Sequence, residues 1–171
     1  MSLRRFLIAS SLIVTPVATL NFLAPAAFAD TNAQVGVSGN VPSIINIAAT
    51  ATTDATNLPL STAGQQAVKI ADINLTSNNT AGITITASST NSGALVSSDN
   101  ASDTIPYQVA VVNAGTTPGS FSDIGNLSQS ETSDFDATTG IKAVDLYIQF
   151  NQVLPKKGNY ADTLTINVAD N

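Results

Sequence analysis

The sequence predicts an all-β protein built as an antiparallel β-sandwich. Lysine, arginine and glutamate, which favour exposed helices, are scarce, whereas threonine, serine, valine and isoleucine, which suit half-buried strands, are abundant. Apolar and polar residues alternate in short runs that are separated by turn residues. Because the apolar residues do not follow a helical period, the strands must pair with one another to build the core.

The first 29 residues have the pattern of a secretory signal peptide. Two arginines precede the apolar run of residues 6–14, and an Ala-x-Ala cleavage site follows at Ala27 and Ala29, directly before Asp30. The alternative is a retained membrane anchor, but Pro16 interrupts the apolar stretch before it reaches the roughly 20 residues that a spanning helix needs. We therefore predict cleavage after Ala29 and export of the remaining chain.

The chain without this signal would be a small acidic domain. Residues 30–171 suit one domain with a single core, and no second domain is expected. Four lysines then stand against 12 acidic residues, a net charge of −8, which argues against nucleic acid and anionic lipid as partners. Cysteine is absent, so burial and strand pairing must stabilise the fold without disulfides.

Seven alternating segments predict the strands. They cover residues 33–41, 44–47, 67–76, 83–87, 105–112, 144–150 and 160–168. In the last of them Leu164, Ile166 and Val168 form the inward-facing row, and a further brief pairing is expected at residues 95–96. The Thr- and Ala-rich stretch after Ile47 is predicted to be an irregular connection.

Two regions depart from simple alternation. The apolar row of the third segment changes parity between Ile70 and Ile73, which indicates either a β-bulge near residues 71–72 or a strand that switches sheets. We favour the bulge. Residues 113–141 exceed the roughly 12–15 residues usual for a structureless loop, so they should contain a hairpin, a short helical turn or a functional excursion.

The residue types that most enzymes need are missing. Histidine and cysteine are both absent, which removes the commonest general base, thiol nucleophiles and the usual zinc and copper ligands. Two loops carry carboxylates, at Asp99 and Asp103 and at Glu131, Asp134 and Asp136. A calcium site or a glycosidase-like pair is the functional interpretation, and a solvated acidic loop is the simpler one, because neither group has calcium-loop spacing. We predict no catalytic residues, no metal and no cofactor.

The strand count leaves a vacancy in the sandwich. Residues 44–168 supply six main strands, whereas an immunoglobulin-like sandwich of this size takes about seven. The segment after the cleavage site, residues 33–41, is separated from the body by Pro42 and has a small apolar row. That row consists of Ala33, Val35, Val37, Gly39 and Val41. The segment could pair within its own sheet, the default for consecutive strands, or insert into a neighbour's sheet by β-strand addition.

Four stretches resemble a known family. They are AQVGVSGNVPSIINI (33–47), INLTSNNTAGITITASSTNSGALVS (73–97), IPYQVAV (105–111) and GNYADTLTINVA (158–169). They resemble the spore coat protein U and archaic chaperone–usher pilin group, and the related class of cysteine-free fimbrial major subunits. The chain departs from many members of the group in lacking a disulfide near the first strand of the domain.

The resemblance implies an exported subunit with an incomplete immunoglobulin-like sandwich. In that group a periplasmic chaperone holds each subunit, and an outer-membrane usher joins identical subunits head to tail by donor-strand exchange. Carried over to this sequence, the donor strand corresponds to Val35, Val37, Gly39 and Val41, and the acceptor groove is bordered by Leu164, Ile166 and Val168. The implied organisation is a signal peptide (1–29), a donor-strand extension (30–42) and a sandwich domain (43–171).

Two functions follow as hypotheses. The first is a structural subunit of a pilus-like fibre, which passes through the periplasm and ends at the cell surface. The second is a self-complemented secreted coat protein or adhesin, in which the loop of residues 113–141 contacts a surface or glycan ligand. The missing histidine and cysteine place an enzyme well behind both.

Overall fold

The computed structural model describes residues 34–152 and 156–171, and it confirms the predicted all-β sandwich. Ten strands and two short 3-10 turns, at Thr53–Thr56 and Ile124–Asn126, lie within these ranges. The strands are β1 (Ile45–Ala51), β2 (Gly64–Ser77), β3 (Ile83–Ser89), β4 (Ala94–Ser97), β5 (Thr104–Asn113), β6 (Ser122–Asp123), β7 (Ser128–Glu131), β8 (Ile141–Gln152), β9 (Tyr160–Ala161) and β10 (Leu164–Asp170).

The strands form two antiparallel sheets around one apolar core. The larger sheet has the order β1-β2-β8-β5-β4-β9, with β6 paired to β5, and the smaller has the order β10-β3-β7. Alternate side chains of the long central strands point inward, among them Leu75 of β2 and Phe150 of β8. They meet Ile83 and Ile85 of β3 in the same buried cluster. The core therefore lies between the two sheets, as in a sandwich.

A β-bulge in β2 confirms the predicted change of parity. β2 pairs with β8 from Gly64 to Thr76, and the register shifts between Lys69 and Ala71. The extra residue is Ile70, just before the position that the sequence indicated. The bulge returns the following apolar residues to the core, where Ile73 is 2% exposed.

The last predicted strand is divided between the two sheets. β9 pairs with β4 in the larger sheet, whereas β10 pairs with β3 in the smaller one. Asp162 lies at the crossing and accepts hydrogen bonds from the Tyr107 hydroxyl at 2.7 Å and the Asn91 backbone N–H at 3.0 Å. Burial raises the pKa of Tyr107, so its hydroxyl keeps the proton that it donates. The prediction of one continuous strand over residues 160–168 was wrong at this point.

The long segment of residues 113–141 contains structure, as its length predicted. β6 joins the larger sheet through β5, and β7 joins the smaller sheet through β3. Ile124 and Leu127, between these two strands, are buried in the core. Much of the segment is therefore part of the sandwich, and it links the two sheets.

A buried carboxylate fastens the start of that segment to the larger sheet. Asp145 of β8 is 2% exposed, and it accepts hydrogen bonds from the Lys69 ammonium at 2.8 Å and the Gly115 backbone N–H at 2.9 Å. Burial by itself would raise the pKa of Asp145. The bonds from Lys69 and Gly115 outweigh burial and hold that pKa below its usual 3.8.

The lowered pKa predicts a loss of stability in acid. The stabilisation from ionised Asp145 is fully present above the unfolded pKa of about 3.8 and is lost as the pH falls through the lower folded pKa. Asp145→Asn should lose about 1–3 kcal/mol at neutral pH and lose less than the parent chain on acidification. Urea unfolding at several pH values measures this, with exposed Asp54→Asn as the control. Equal pH dependence in the parent and Asp145→Asn chains would contradict it.

Candidate functional site

Two strands at the edges of the sheets lie side by side without pairing. β1 pairs with β2, and β10 pairs with β3; within residues 34–152 and 156–171 neither strand has a second partner. β1 and β10 are nevertheless in contact across the space between the sheets. Each strand therefore presents a row of unpaired backbone N–H and C=O groups beside that space.

An apolar cavity of about 400 Å³, here called the edge groove, separates these strands. One wall consists of Ile47, Ala49 and Ala51 of β1, and the other consists of Leu164 and Ile166 of β10. The floor is the core itself, formed by Ile73, Leu146 and Ile148 among others. The sandwich is thus incompletely covered along this line, and core side chains are accessible from outside.

The edge groove narrows towards one end. Ser43, just before β1, donates a hydrogen bond from its hydroxyl to the Asp170 carboxylate at the end of β10, at 2.5 Å. The start of β1 therefore meets the end of β10, and the two strands run antiparallel across the groove. At the other end Ala51, Leu58 and Asp162 contribute to the lining. We call the Ser43–Asp170 end the closed end.

The three residues predicted to border an acceptor groove lie on one strand and share a face. Leu164 and Ile166 line the edge groove. Val168 is on the same face of β10, two residues nearer the closed end, and packs against the core. All three are half-buried, and the intervening Thr165 and Asn167 are exposed.

The opposite wall was not anticipated from the sequence. Residues 48–51 were predicted to be an irregular connection, but they continue β1 and pair with residues 71–74 of β2. Alanine has weak strand preference, so composition hid this strand. The available signal was the parity of Ile47, Ala49 and Ala51, which place three small or apolar residues on one face.

The predicted donor residues lie at the start of the described chain. Residues 34–44 form no strand, and the side chains of Val35, Val37 and Val41 are 84%, 92% and 80% exposed. A Cβ added to Gly39 would meet nothing within 4 Å. Ala33 and the predicted cleavage residues Ala27, Ala29 and Asp30 lie outside the described residues. Alternating exposed valines are unusual because apolar side chains are generally covered.

The acidic loops form ion pairs and local turns. Glu131 and Asp134 both face the Lys142 ammonium, at 2.5 and 3.7 Å. Asp136 accepts hydrogen bonds from Thr139 of its own turn, which lower the pKa of that carboxyl. Across the described residues, the acidic side chains do not gather in groups of three or more that could hold a metal ion. In the same ranges no helix is long and apolar enough to cross a membrane.

Comparison with known proteins leaves the geometry as the basis for assigning a function. The candidate site consists of the edge groove, the two unpaired strand edges and the exposed valines. No family model and no curated protein matches this chain.

Proposed function

We propose that this chain is the structural subunit of an extracellular fibre. In this proposal residues 33–41 of one copy, here called the donor segment, insert into the edge groove of the next copy. The observation that carries it is the combination, in one chain, of an apolar groove between two unpaired edges and a segment with exposed alternating valines. The groove lacks a strand, and the segment has the residue pattern of one.

Backbone pairing supplies the first part of the affinity. A strand inserted between β1 and β10 can hydrogen-bond to both free edges, which have no other strand partner within residues 34–152 and 156–171. Free edges of this length are also prone to uncontrolled pairing with other chains. Occupation of the groove by one defined segment therefore both stabilises the subunit and protects it from aggregation.

Side-chain burial supplies the second part. Each valine of the donor segment that moves from solvent to the groove floor contributes about 1.5 kcal/mol, before the cost of ordering the segment. Ala49 and Ala51 make the β1 wall shallow, which leaves room for side chains of valine size. The period of two in the donor segment directs one row inward and leaves Ser38 and Asn40 on the solvent side.

A donor segment and an acceptor groove on separate parts of one chain allow head-to-tail assembly. The donor segment and the edge groove are different surfaces of one subunit, so the contact between copies is heterologous. Each added subunit brings a new unfilled groove or a new free donor segment. Assembly therefore continues head to tail unless the rotation between subunits closes a ring.

The proposal extends to export and partners. The predicted signal peptide directs the chain to the periplasm, and cleavage after Ala29 leaves the donor segment close to the new N-terminus. An unfilled groove exposes core residues, so a periplasmic chaperone must cover it before assembly. An outer-membrane usher would then deliver subunits to the surface, as the resemblance to the chaperone–usher pilin group implies.

The adhesin hypothesis receives less support. The edge groove is apolar, whereas glycan hydroxyls need several hydrogen-bond partners. The segment of residues 113–141, which that hypothesis uses as a binding loop, contributes strands to both sheets. The fibre proposal, by contrast, accounts for both the edge groove and the exposed valines of the donor segment.

A complementation experiment tests the proposal. Val37→Asp disables the donor segment, and Ala49→Asp places a charge on the groove wall at an exposed position. Neither exported variant should form fibres by electron microscopy, because burying an unpaired carboxylate opposes insertion. A mixture of the two should form a one-to-one heterodimer by size-exclusion chromatography with light scattering. It should stop there, because one intact groove meets one intact donor segment.

Matched substitutions on the opposite faces act as controls. Ser38→Asp carries the same charge on the solvent side of the donor segment, and Ala48→Asp carries it on the other face of β1. Both controls should still assemble. Fibres from Val37→Asp alone, or an unsubstituted chain that stays monomeric when its chaperone is removed, would overturn the proposal.

A further inference from the structure

A single asparagine holds the segment that precedes β1. The Asn78 side-chain amide donates to the Pro42 carbonyl at 2.8 Å, and its oxygen accepts from the Ile44 backbone N–H at 2.7 Å. The Asn78 backbone N–H also donates to the Ile44 carbonyl at 3.3 Å. Asn78 immediately follows β2, so these bonds hold residues 42–44 against the β2 end of the larger sheet.

The same three residues are also tied to the smaller sheet. The Ser43 hydroxyl bonds to Asp170 at the end of β10. The next residue, Asn171, donates to the Gly82 carbonyl at 3.2 Å and, from its side chain, to the Ala81 carbonyl at 3.0 Å. Residues 42–44 therefore bridge the closed end of the edge groove from one sheet to the other.

The chain reaches this bridge beside the turn between β2 and β3. Val41 lines a small surface depression together with Asn78, Asn79 and Thr80 of that turn, and with Ser43 and Asp170. Val41 does not line the edge groove. The residue that begins the path to the donor segment is thus already outside the groove.

A donor segment could enter its own groove only by reversing direction at residues 42–44. A hairpin centred on Ser43 would place Val41 opposite Ile45 and Val37 opposite Ala49. Such a hairpin needs residues 42–44 for its turn, which a donor segment from a second copy does not need. Forming that turn breaks the bonds made by Asn78 and the bond between Ser43 and Asp170.

We propose that Asn78, Ser43 and Asp170 form a clamp that bars the donor segment from its own groove, so that only the donor segment of a second copy can fill it. This inference rests on the proposed function of the groove and adds the device that selects the partner. Asn78 is a positioning residue in this account, because it acts on the chain before β1 and not on the incoming strand. Its effect is to convert a possible self-complemented monomer into an assembling subunit.

An engineered disulfide tests the clamp directly. The chain has no cysteine, so Val37→Cys with Ala49→Cys creates one possible pair, which the hairpin would place face to face. In the exported full chain with the clamp intact, monomer with an intramolecular disulfide should be a minor product on non-reducing gels. Adding Asn78→Ala should raise that product by about tenfold, and adding Ser43→Ala should raise it as well, since each removes bonds that hold the turn closed.

Asn74→Ala is the matched control. Asn74 is an exposed asparagine in β2, the strand that Asn78 follows, so its substitution removes the same side-chain amide at a different position. Equal amounts of intramolecular disulfide in the Asn78→Ala, Ser43→Ala and Asn74→Ala chains would overturn the clamp, even if fibres form normally. Abundant intramolecular disulfide with the clamp intact would overturn it too. Failure of the proposed function appears separately, as an absence of fibres from the chain without cysteine substitutions.

Discussion

Gly82→Ala is expected to destabilise the fold by about 2–5 kcal/mol, because two separate penalties apply. Gly82 ends the turn between β2 and β3 with φ +82°, a conformation that side chains rarely adopt. An added Cβ would lie 2.2 Å from the Glu131 carbonyl oxygen and 2.7 Å from the Thr132 Cα. These are backbone atoms at the end of β7, so the strand itself would have to move.

Gly115→Ala separates the two penalties. Gly115 has a similar φ of +78°, but an added Cβ would meet nothing within 4 Å. Gly115→Ala should therefore lose only the stability that the positive φ costs an alanine, about 1–2 kcal/mol. Urea unfolding of both variants in the Val37→Asp background, which should keep the chain monomeric, measures the difference. Equal losses of unfolding free energy in the two variants would mean that β7 can move away from the added Cβ without destabilising the smaller sheet.

Lys142→Met is expected to cost about 3–5 kcal/mol, because it leaves a buried carboxylate without its cation. The Lys142 side chain is 5% exposed, and its ammonium lies 2.5 Å from the Glu131 carboxylate, whose side chain is 9% exposed. The ammonium also donates to the Ser133 carbonyl at 3.0 Å. The pair joins β8 of the larger sheet to β7 of the smaller sheet, so its loss weakens the contact between the layers.

A double variant and a surface pair make the Lys142 prediction specific. Lys142→Met combined with Glu131→Gln should recover much of the loss, because the unpaired charge is gone. Lys156→Met should cost far less than Lys142→Met, since Lys156 pairs with Asp103 but its side chain is 71% exposed. Denaturant unfolding measures the free energy of unfolding of the parent chain and of these three variants. A loss for Lys142→Met as small as that for Lys156→Met would show that water reaches Glu131.

The functional proposal depends on one local feature, the donor segment, and on one long-range feature, the edge groove. The valines of the donor segment can be read from the sequence, because their alternation is local and their neighbours are polar or glycine. The groove that would receive them cannot be read in this way. Its floor combines residues of β2, β4 and β8, which are far apart in the chain and meet only when the sheets are stacked.

Several elements show why sequence patterns succeed or fail. β8 and β3 were predicted because large apolar residues alternate with polar ones, from Val144 to Phe150 in β8 and at Ile83 and Ile85 in β3. β1 was predicted too short because alanine and threonine carry little hydrophobic contrast. The break at Asp162 was missed because its cause is a long-range contact, the hydrogen bond from Tyr107. An acidic residue within a strand pattern carries no local sign of such a partner.

The sequence by itself determined most of the strand-forming segments, the face of each that is apolar and the absence of histidine and cysteine. These properties follow from residue type and a period of two, so they need no knowledge of distant contacts. Only the tertiary structure decided which strands pair, and therefore that β1 and β10 each have one unpaired edge beside a groove closed at one end by Ser43 and Asp170. Strand pairing depends on packing between residues far apart in the chain, which alternation within one segment cannot specify.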